Sequence, residues 1–242
     1  MKKSVIILSV LAFIASGCGQ ATKKQSEVKN SKIDTELIDD LEQSQQGVSK
    51  EIKCRILSQR EVEQLFTDEM KKKFEIQYPI WRVYAFRDNL CEHRIVLTES
   101  SNIQINENLV DTLHHNIKAF FFQLENNTLT KEREISDFIN TGEISIWFWT
   151  KFCSFSDIDG DGLVDPIIVY GSKPESDSEP YRVNILVYYK GKKYAQRHTD
   201  GDLDFMRSTK IDKDFYTLPK VIQENVTSIT EKMLGNRNIL SW

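Results

Sequence analysis

Hydrophobic positions at helical spacing predict a helix near the start of a folded region that we place at residues 50–242. Ser58 and Glu61 form a capping-box signature at its beginning, and Lys71-Lys72-Lys73 suits the negative C-terminal end of a helix. The apolar stripe consists of Val62, Leu65, Phe66 and Met70. A second helix is predicted after Pro219 and before a stop at Gly235, and its stripe consists of Ile222, Val226, Ile229 and Met233.

Between these helices, β-branched and aromatic residues concentrate in short runs separated by turn signals, which predicts at least six strands. The runs are 81–86, 91–98, 117–124, 144–155, 166–170, 181–189 and 193–198. The turn signals are Asp88-Asn89, Asn126-Asn127 and Lys190-Gly191. Because short turns join consecutive strands, we expect an α+β fold, with a single antiparallel sheet-rich domain and one helix at each end.

Residues 1–17 have the pattern of a cleavable export signal. Two lysines precede an apolar run from Val5 to Ile14, which is shorter than the roughly 20 residues that a membrane span needs. The following Ala-Ser-Gly-Cys resembles the bacterial lipobox, in which the cysteine receives a diacylglycerol before cleavage, so Cys18 is the predicted lipidation site. Ordinary signal-peptidase cleavage at the same bond is the alternative, and either route exports the chain.

The polar composition of residues 18–49 predicts a disordered tether between the lipid and the folded region. We expect the lipid to hold the protein in the bacterial cell envelope, at the outer membrane. The formal net charge is −4, and loss of Lys2 and Lys3 with the signal would leave about −6. This acidic balance gives no electrostatic basis for binding nucleic acid.

The segment from Asp157 to Asp165 has the spacing of a calcium-binding loop. Calcium takes about six to eight oxygen ligands, and alternate residues of a tight loop direct carboxylates at one centre. Gly162 at the sixth position permits the sharp turn that such loops need. The predicted metal ligands are the side chains of Asp157, Asp159, Asp161 and Asp165 and the backbone carbonyl of Leu163.

The twelfth position of this loop is Ile168 rather than glutamate, and Pro166 begins a strand where an EF-hand would begin a helix. The loop therefore resembles the strand–loop–strand calcium sites of integrin-type repeats, in which an aspartate at position nine completes the shell. Because the carboxylates repel one another, structural Ca²⁺ is the expected cofactor. The alternative is a solvated acidic turn, which we also expect for the weaker acidic runs 175–179 and 200–204.

The sequence contains none of the common hydrolase, zincin or phosphate-loop motifs. Cys91 and His93 share a strand face, which we interpret as packing rather than as a catalytic pair. His114 and His115 are adjacent and should point to opposite faces of a strand. The cysteines other than Cys18 are expected to be buried free thiols: Cys54, Cys91 and Cys153.

Several segments between residues 144 and 223 occur in a recognisable order: Trp149 to Lys151, Asp165 to Gly171, Gly191 to His198, Leu203-Asp204 and Phe215 to Pro219. Together they look like a small bacterial envelope family described as surface-polysaccharide biosynthesis proteins. The resemblance implies a connection with capsule or lipopolysaccharide production and assigns no catalytic residue.

We therefore expect a non-catalytic, lipid-anchored envelope protein that supports surface-polysaccharide biosynthesis or assembly, with the membrane and the polysaccharide or its assembly proteins as partners. One alternative is an enzyme acting on glycans with Asp200, Asp202 or Asp204, since glycosidases use two carboxylates about 5 to 9.5 Å apart. Another is a carbohydrate-binding module. It would use exposed aromatic residues among Trp81, Trp147 and Trp149, although strand periodicity favours core packing for the last two.

Overall fold

The computed structural model describes residues 52–106, 109–176, 180–201 and 203–234, without the side chains of residues 103–106, 109–111 and 234. The predicted signal, the lipidation site Cys18, the tether and the stop at Gly235 lie outside these residues, as does Asp202. Among the residues described, no helix combines the length and the hydropathy that crossing a membrane requires.

Two large antiparallel sheets form the framework, whereas the sequence predicted one, so the single-sheet expectation was wrong. The first sheet has five strands, which are in spatial order β1 (Arg55–Ile56), β2 (Ile80–Arg87), β3 (Glu92–Glu99), β6 (Asn116–Glu125) and β7 (Thr128–Phe138). Between β3 and β6 in the sequence, β4 (Asn102–Asn106) and β5 (Leu109–Leu113) form a separate two-stranded hairpin.

The second sheet follows in the sequence and again pairs neighbouring strands. Its spatial order is β13 (Ser208–Ile211), β12 (Lys192–Asp200), β11 (Tyr181–Tyr189), β10 (Asp165–Pro174) and β8 (Glu143–Phe148), with β9 (Ser154–Ser156) also paired to β10. The predicted strand 144–155 is therefore broken into β8 and β9. Trp149 lies at the break but remains beside β10, because its backbone N–H donates to Val169 O at 2.9 Å.

The two sheets pack face to face and are covered on their outer faces by helices, which gives four layers. Residues of both sheets share the central core, among them Ile95, Phe121, Ile168 and Leu186. The outer face of the first sheet packs against α1 (Gln59–Leu65) and α2 (Asp68–Lys73), and that of the second against α3 (Lys220–Leu234). Alternating residues of each central strand thus serve two different cores.

The predicted capping box is present: Ser58 Oγ accepts from Glu61 N, and the Glu61 side chain accepts from Ser58 N at 2.8 Å. The predicted helix is nevertheless divided, because Phe66 leaves helical geometry and Thr67 caps α2. Phe66 is fully buried in the outer core of the first sheet. The division therefore lets one side chain of the predicted stripe point into the core while the chain changes direction.

Arg182 of β11 joins the two sheets through three partners. Its Nε lies 2.7 Å from Glu143 Oε1 on β8, its Nη1 lies 2.8 Å from Asp137 Oδ2 on β7, and its Nη2 donates to the Phe138 carbonyl. The Arg182 and Glu143 side chains are only 18% and 9% exposed. This buried ion-pair network fixes the edge at which the chain passes from one sheet to the other.

The three described cysteines are free thiols, as expected, but they differ in burial. Cys91 is buried and Cys153 is partly buried, whereas Cys54 is exposed, so the expectation of burial was wrong for Cys54. Cys54 lies just before β1, a two-residue strand at the edge of the first sheet that pairs only with β2.

Candidate functional site

The acidic loop connects β9 to β10 and folds around its own carboxylates. Asp157 accepts hydrogen bonds from Gly160 N at 2.7 Å and from Gly162 N at 2.8 Å. Asp165 Oδ2 accepts from Ile158 N at 2.9 Å. The backbone therefore wraps around the aspartates, as in loops that present oxygen atoms to one centre.

Three of the predicted ligands come together in this loop. One oxygen from each of Asp157, Asp159 and Asp165 lies within 4.8 Å of the others, so the cluster could hold a metal ion. Asp161 lies beside Lys190, with 3.1 Å between its Oδ2 and the lysine Nζ. Leu163 donates its backbone N–H to Asp161 Oδ1 at 3.0 Å, and its predicted role as a carbonyl ligand stays a prediction.

Asp165 lies in the least favourable environment of the cluster. It is 2% exposed, and its burial, together with the charges of Asp159 and Asp161, raises its pKa to about 6. An ionised carboxylate in such a position is stabilised by a neighbouring positive charge. The loop thus concentrates negative charge at a point where a cation would relieve it.

The turn between β2 and β3 braces the acidic loop from the other sheet. Asn89 N donates to Gly162 O at 3.0 Å. A Cβ at residue 162 would lie 1.8 Å from Asn89 Nδ2, and the φ of Gly162 is +86°. The positive φ favours glycine at this position, and any other residue would also have to displace the Asn89 side chain.

A second candidate site is a cleft of about 680 Å³ beside the β4–β5 hairpin. It brings together the three tryptophans that the sequence singled out, and most of its remaining lining is polar. Trp81 comes from β2 and is 56% exposed, whereas Trp147 and Trp149 come from the second sheet. The rings of Trp147 and Trp149 stack with centroids 6.1 Å apart.

Trp149 is both a core residue and a lining residue of the cleft. It is 7% exposed and packs in the outer core of the second sheet, which agrees with the periodicity of the strand. Its indole Nε1 is buried without a hydrogen-bond partner. Buried donors of this kind are rare and each calls for an explanation. Because this nitrogen is enclosed by protein atoms, only other parts of the Trp149 ring can line the cleft.

Glu99 and His114 also line the cleft. Glu99 was not among the residues that the sequence singled out, and His114 was considered only as a neighbour of His115, without being assigned to a site. Glu99 is 7% exposed; its Oε1 accepts from Phe148 N at 2.9 Å and its Oε2 lies 3.6 Å from His114 Nε2. Burial raises the pKa of Glu99 despite this hydrogen bond and the nearby histidine. The feature that distinguishes Glu99 is its burial at the end of a strand, and burial cannot be read from a single sequence.

The carboxylates considered for glycan hydrolysis bind another partner. Asp200 Oδ1 lies 3.1 Å from Arg207 Nε, and Asp204 Oδ1 lies 3.0 Å from Arg207 Nη1. The Asp204 side chain is 98% exposed. The two described aspartates thus hold a surface loop with Arg207, and neither is among the residues that line the cleft.

The geometry of this chain alone indicates that the acidic loop and the tryptophan-lined cleft are candidate functional sites. The first offers oxygen ligands to a cation, and the second offers aromatic faces with a few polar groups to an organic ligand. Comparisons of the chain with protein-family models, with curated proteins and with solved structures found no match.

Proposed function

We propose that this is an exported, lipid-anchored envelope protein whose folded domain binds a glycan in the tryptophan-lined cleft. The observation that carries the proposal is the convergence of Trp81, Trp147 and Trp149 from two sheets on one cleft of about 680 Å³. A volume of this size suits a ligand of a few sugar rings, since small-molecule sites span roughly 300 to 1,000 Å³.

The mixture of groups in the cleft favours a sugar over a purely apolar ligand. Sugar rings have one apolar C–H face, which stacks on aromatic rings, and a rim of hydroxyl groups, which need hydrogen-bond partners. The cleft supplies the Glu99 carboxylate and the amines of Lys151 and Lys173 for that rim. The lipid anchor, if present at Cys18, would place the cleft where envelope polysaccharides pass.

Trp81→Ala is expected to weaken glycan binding about tenfold or more, because it removes the most exposed stacking surface of the cleft. The measurement is titration calorimetry of the full-length protein with oligomers of neutral hexoses, of N-acetylated amino sugars and of uronic acids. Phe205→Ala is the matched control, since Phe205 is an aromatic residue 81% exposed outside the cleft.

Binding of one oligomer class that Trp81→Ala weakens and Phe205→Ala leaves unchanged would support the proposal. Equal affinities of both variants, or no binding of any oligomer class, would contradict it. Appearance of shorter oligomers during the titration would instead favour the enzymatic alternative.

In the acidic loop, we propose that the resident cation is Ca²⁺ in a structural role. The all-oxygen cluster of Asp157, Asp159 and Asp165 matches the ligand preference of calcium. The expected affinity is that of extracellular modules, with a Kd of about 10⁻⁴ to 10⁻³ M. Because the loop contacts the β2–β3 turn through Asn89, a bound ion would also stabilise the junction of the two sheets.

Calcium at ten times its Kd is expected to stabilise the protein by about 1.4 kcal/mol relative to excess EDTA. Thermal unfolding of the wild type and of Asp159→Asn measures this effect. The asparagine keeps an acceptor for the Tyr189 hydroxyl, which lies 3.0 Å from Asp159 Oδ2, and removes the charge. Asp204→Asn, at an exposed position outside the loop, is the control. A calcium response that persists in Asp159→Asn would place the ion elsewhere.

A further inference from the structure

Three side chains of metal-binding type converge at the turn between β2 and β3. Cys91 Sγ lies 3.4 Å from His93 Nε2, and Asp88 Oδ2 lies 3.0 Å from the same nitrogen. One ligand atom from each residue lies within 4.8 Å of the others. The three residues are close in sequence, but only the tight turn brings Asp88 back beside Cys91 and His93 at the start of β3.

The separations match the edges of a tetrahedral metal site. An ion bound at about 2.3 Å to sulfur and about 2.0 Å to nitrogen or oxygen places its ligand atoms roughly 3.3 to 3.5 Å apart. The two edges that involve His93, 3.4 and 3.0 Å, are close to these values. The third edge, between the ligand atoms of Cys91 and Asp88, is no longer than 4.8 Å, so the three atoms are close enough to be candidates for one shared ion.

The same geometry argues against a nucleophilic Cys–His–Asp triad. In such a triad the histidine uses one ring nitrogen for the nucleophile and the other for the carboxylate. Here the Cys91 thiol and the Asp88 carboxylate both approach the Nε2 of His93. The thiol and the carboxylate thus lie beside the same histidine nitrogen, as they would if all three groups bound one ion.

The cluster is buried and held in place by its neighbours. The side chains of Asp88 and His93 are 6% and 15% exposed, and Cys91 is buried. Asp88 Oδ1 accepts from Leu90 N at 2.9 Å and from Cys91 N at 3.1 Å, which orients Oδ2 toward the histidine. Such preorganisation is what a metal site needs from its surroundings.

Glu132 of β7 places a carboxylate near the second ring nitrogen of His93. Its Oε2 lies 3.9 Å from His93 Nδ1, beyond the length of a direct hydrogen bond, and its Oε1 accepts from Gln123 Nε2 at 2.7 Å. The negative charge of Glu132 favours a proton on Nδ1, which would leave the Nε2 lone pair for the ion.

We propose that Asp88, Cys91 and His93 bind a zinc-class divalent ion. The thiolate and the imidazole select such ions over calcium and magnesium, which prefer oxygen ligands. Binding releases the thiol proton to solvent. Asp88 and His93 also line a cavity of about 240 Å³, through which water or a small ligand reaches a fourth coordination position. The site is distinct in its ligands from the acidic loop and does not depend on glycan binding.

Cobalt is the probe that reports the ligands directly. Titration of the reduced full-length protein with Co²⁺ is expected to give the visible bands of tetrahedral cobalt and a thiolate-to-cobalt charge-transfer band, both abolished by added Zn²⁺. Cys91→Ser should remove the charge-transfer band, whereas Cys54→Ser and Asp159→Asn should keep it. Glu132→Gln should weaken zinc binding roughly tenfold.

A second measurement covers the case in which Cys91→Ser does not fold. In the wild type, Zn²⁺ should slow alkylation of Cys91 at least about tenfold and leave that of the exposed Cys54 unchanged, as read by mass spectrometry. No charge-transfer band in the wild type, its persistence in a folded Cys91→Ser protein, or equal alkylation of Cys91 with and without zinc would overturn the proposal.

Discussion

Arg182→Met is expected to lower the free energy of unfolding by about 3 to 5 kcal/mol. The substitution leaves the carboxylates of Glu143 and Asp137, which are 9% and 22% exposed, without their shared cation. Uncompensated buried charge is among the few changes that cost this much in a single substitution. Urea denaturation measures it as a fall in the midpoint at an unchanged slope.

Arg197→Met is the matched control for this effect. Arg197 lies on the neighbouring strand β12 and pairs with Asp212 at 2.8 Å, but its side chain is 49% exposed. Exposed pairs contribute about 0 to 1 kcal/mol. Similar losses in the two variants would show that Arg182 contributes no more than a surface cation.

At acidic pH, the free energies of unfolding of the wild type and of Arg182→Met should differ less than at neutral pH. Burial alone would raise the pKa of Glu143, but its hydrogen bonds with Arg182 and Ser172 outweigh burial and hold the pKa below its ordinary value. The wild type therefore gains stability from this carboxylate above the unfolded-state pKa and loses it as the pH falls through the folded-state pKa.

Phe122→Ala is expected to cost about 3 to 5 kcal/mol as well, through loss of packing rather than of charge. Phe122 is 1% exposed, and its ring lies 5.7 Å from Phe66 and 4.8 Å from Phe74, centroid to centroid. It thus joins the first sheet to α1 and α2. These helices have seven and six residues and cannot persist without such packing, because helices so short are unstable alone.

Chemical denaturation and far-ultraviolet circular dichroism test this prediction together, since the variant should lose helical signal before the sheets unfold. Phe138→Ala is the control because Phe138 is 61% exposed on the same sheet. A loss below about 1 kcal/mol for Phe122→Ala, or equal losses in both variants, would contradict the assigned role.

Local patterns predicted the elements that depend on local chemistry. The capping box at Ser58, the hairpin turns at Asn126-Asn127 and Lys190-Gly191, and the strand β11 are all present as expected. Each depends on side chains or backbone angles within a few residues. Both residues of each turn have positive φ, which asparagine and glycine adopt readily at Asn126, Asn127 and Gly191, and which Lys190 also adopts.

The partition into two sheets could not be read from the sequence, because strands buried on both faces carry no alternation that would tell one core from another. Ile167 and Ile168 are both fully buried, yet they belong to different cores. The break after Phe148 was hidden in the same way, since an unbroken aromatic run looks like one strand.

At the candidate sites, the sequence identified residues that are close in the chain and missed those that only the fold brings together. The acidic loop is contiguous, so its ligands were predicted together. Glu99 and His114 reach the cleft from different strand ends, and Asp88 joins Cys91 and His93 only across a turn. The tryptophans were named from their chemistry, but periodicity alone assigned Trp147 and Trp149 to the core.

The two sheets occupy consecutive halves of the described chain, and the strand connection from Phe138 to Glu143 leads from one to the other. Each half also contains the helices that cover its outer face. Pairings between sequence neighbours form quickly, so each half can assemble its own hydrogen bonds before the halves meet. We therefore expect the docking of the two sheets to come late in folding. Before docking, each half would expose an apolar face that includes Phe121 or Leu186. We expect such a half-assembled species to be prone to aggregation during synthesis and refolding.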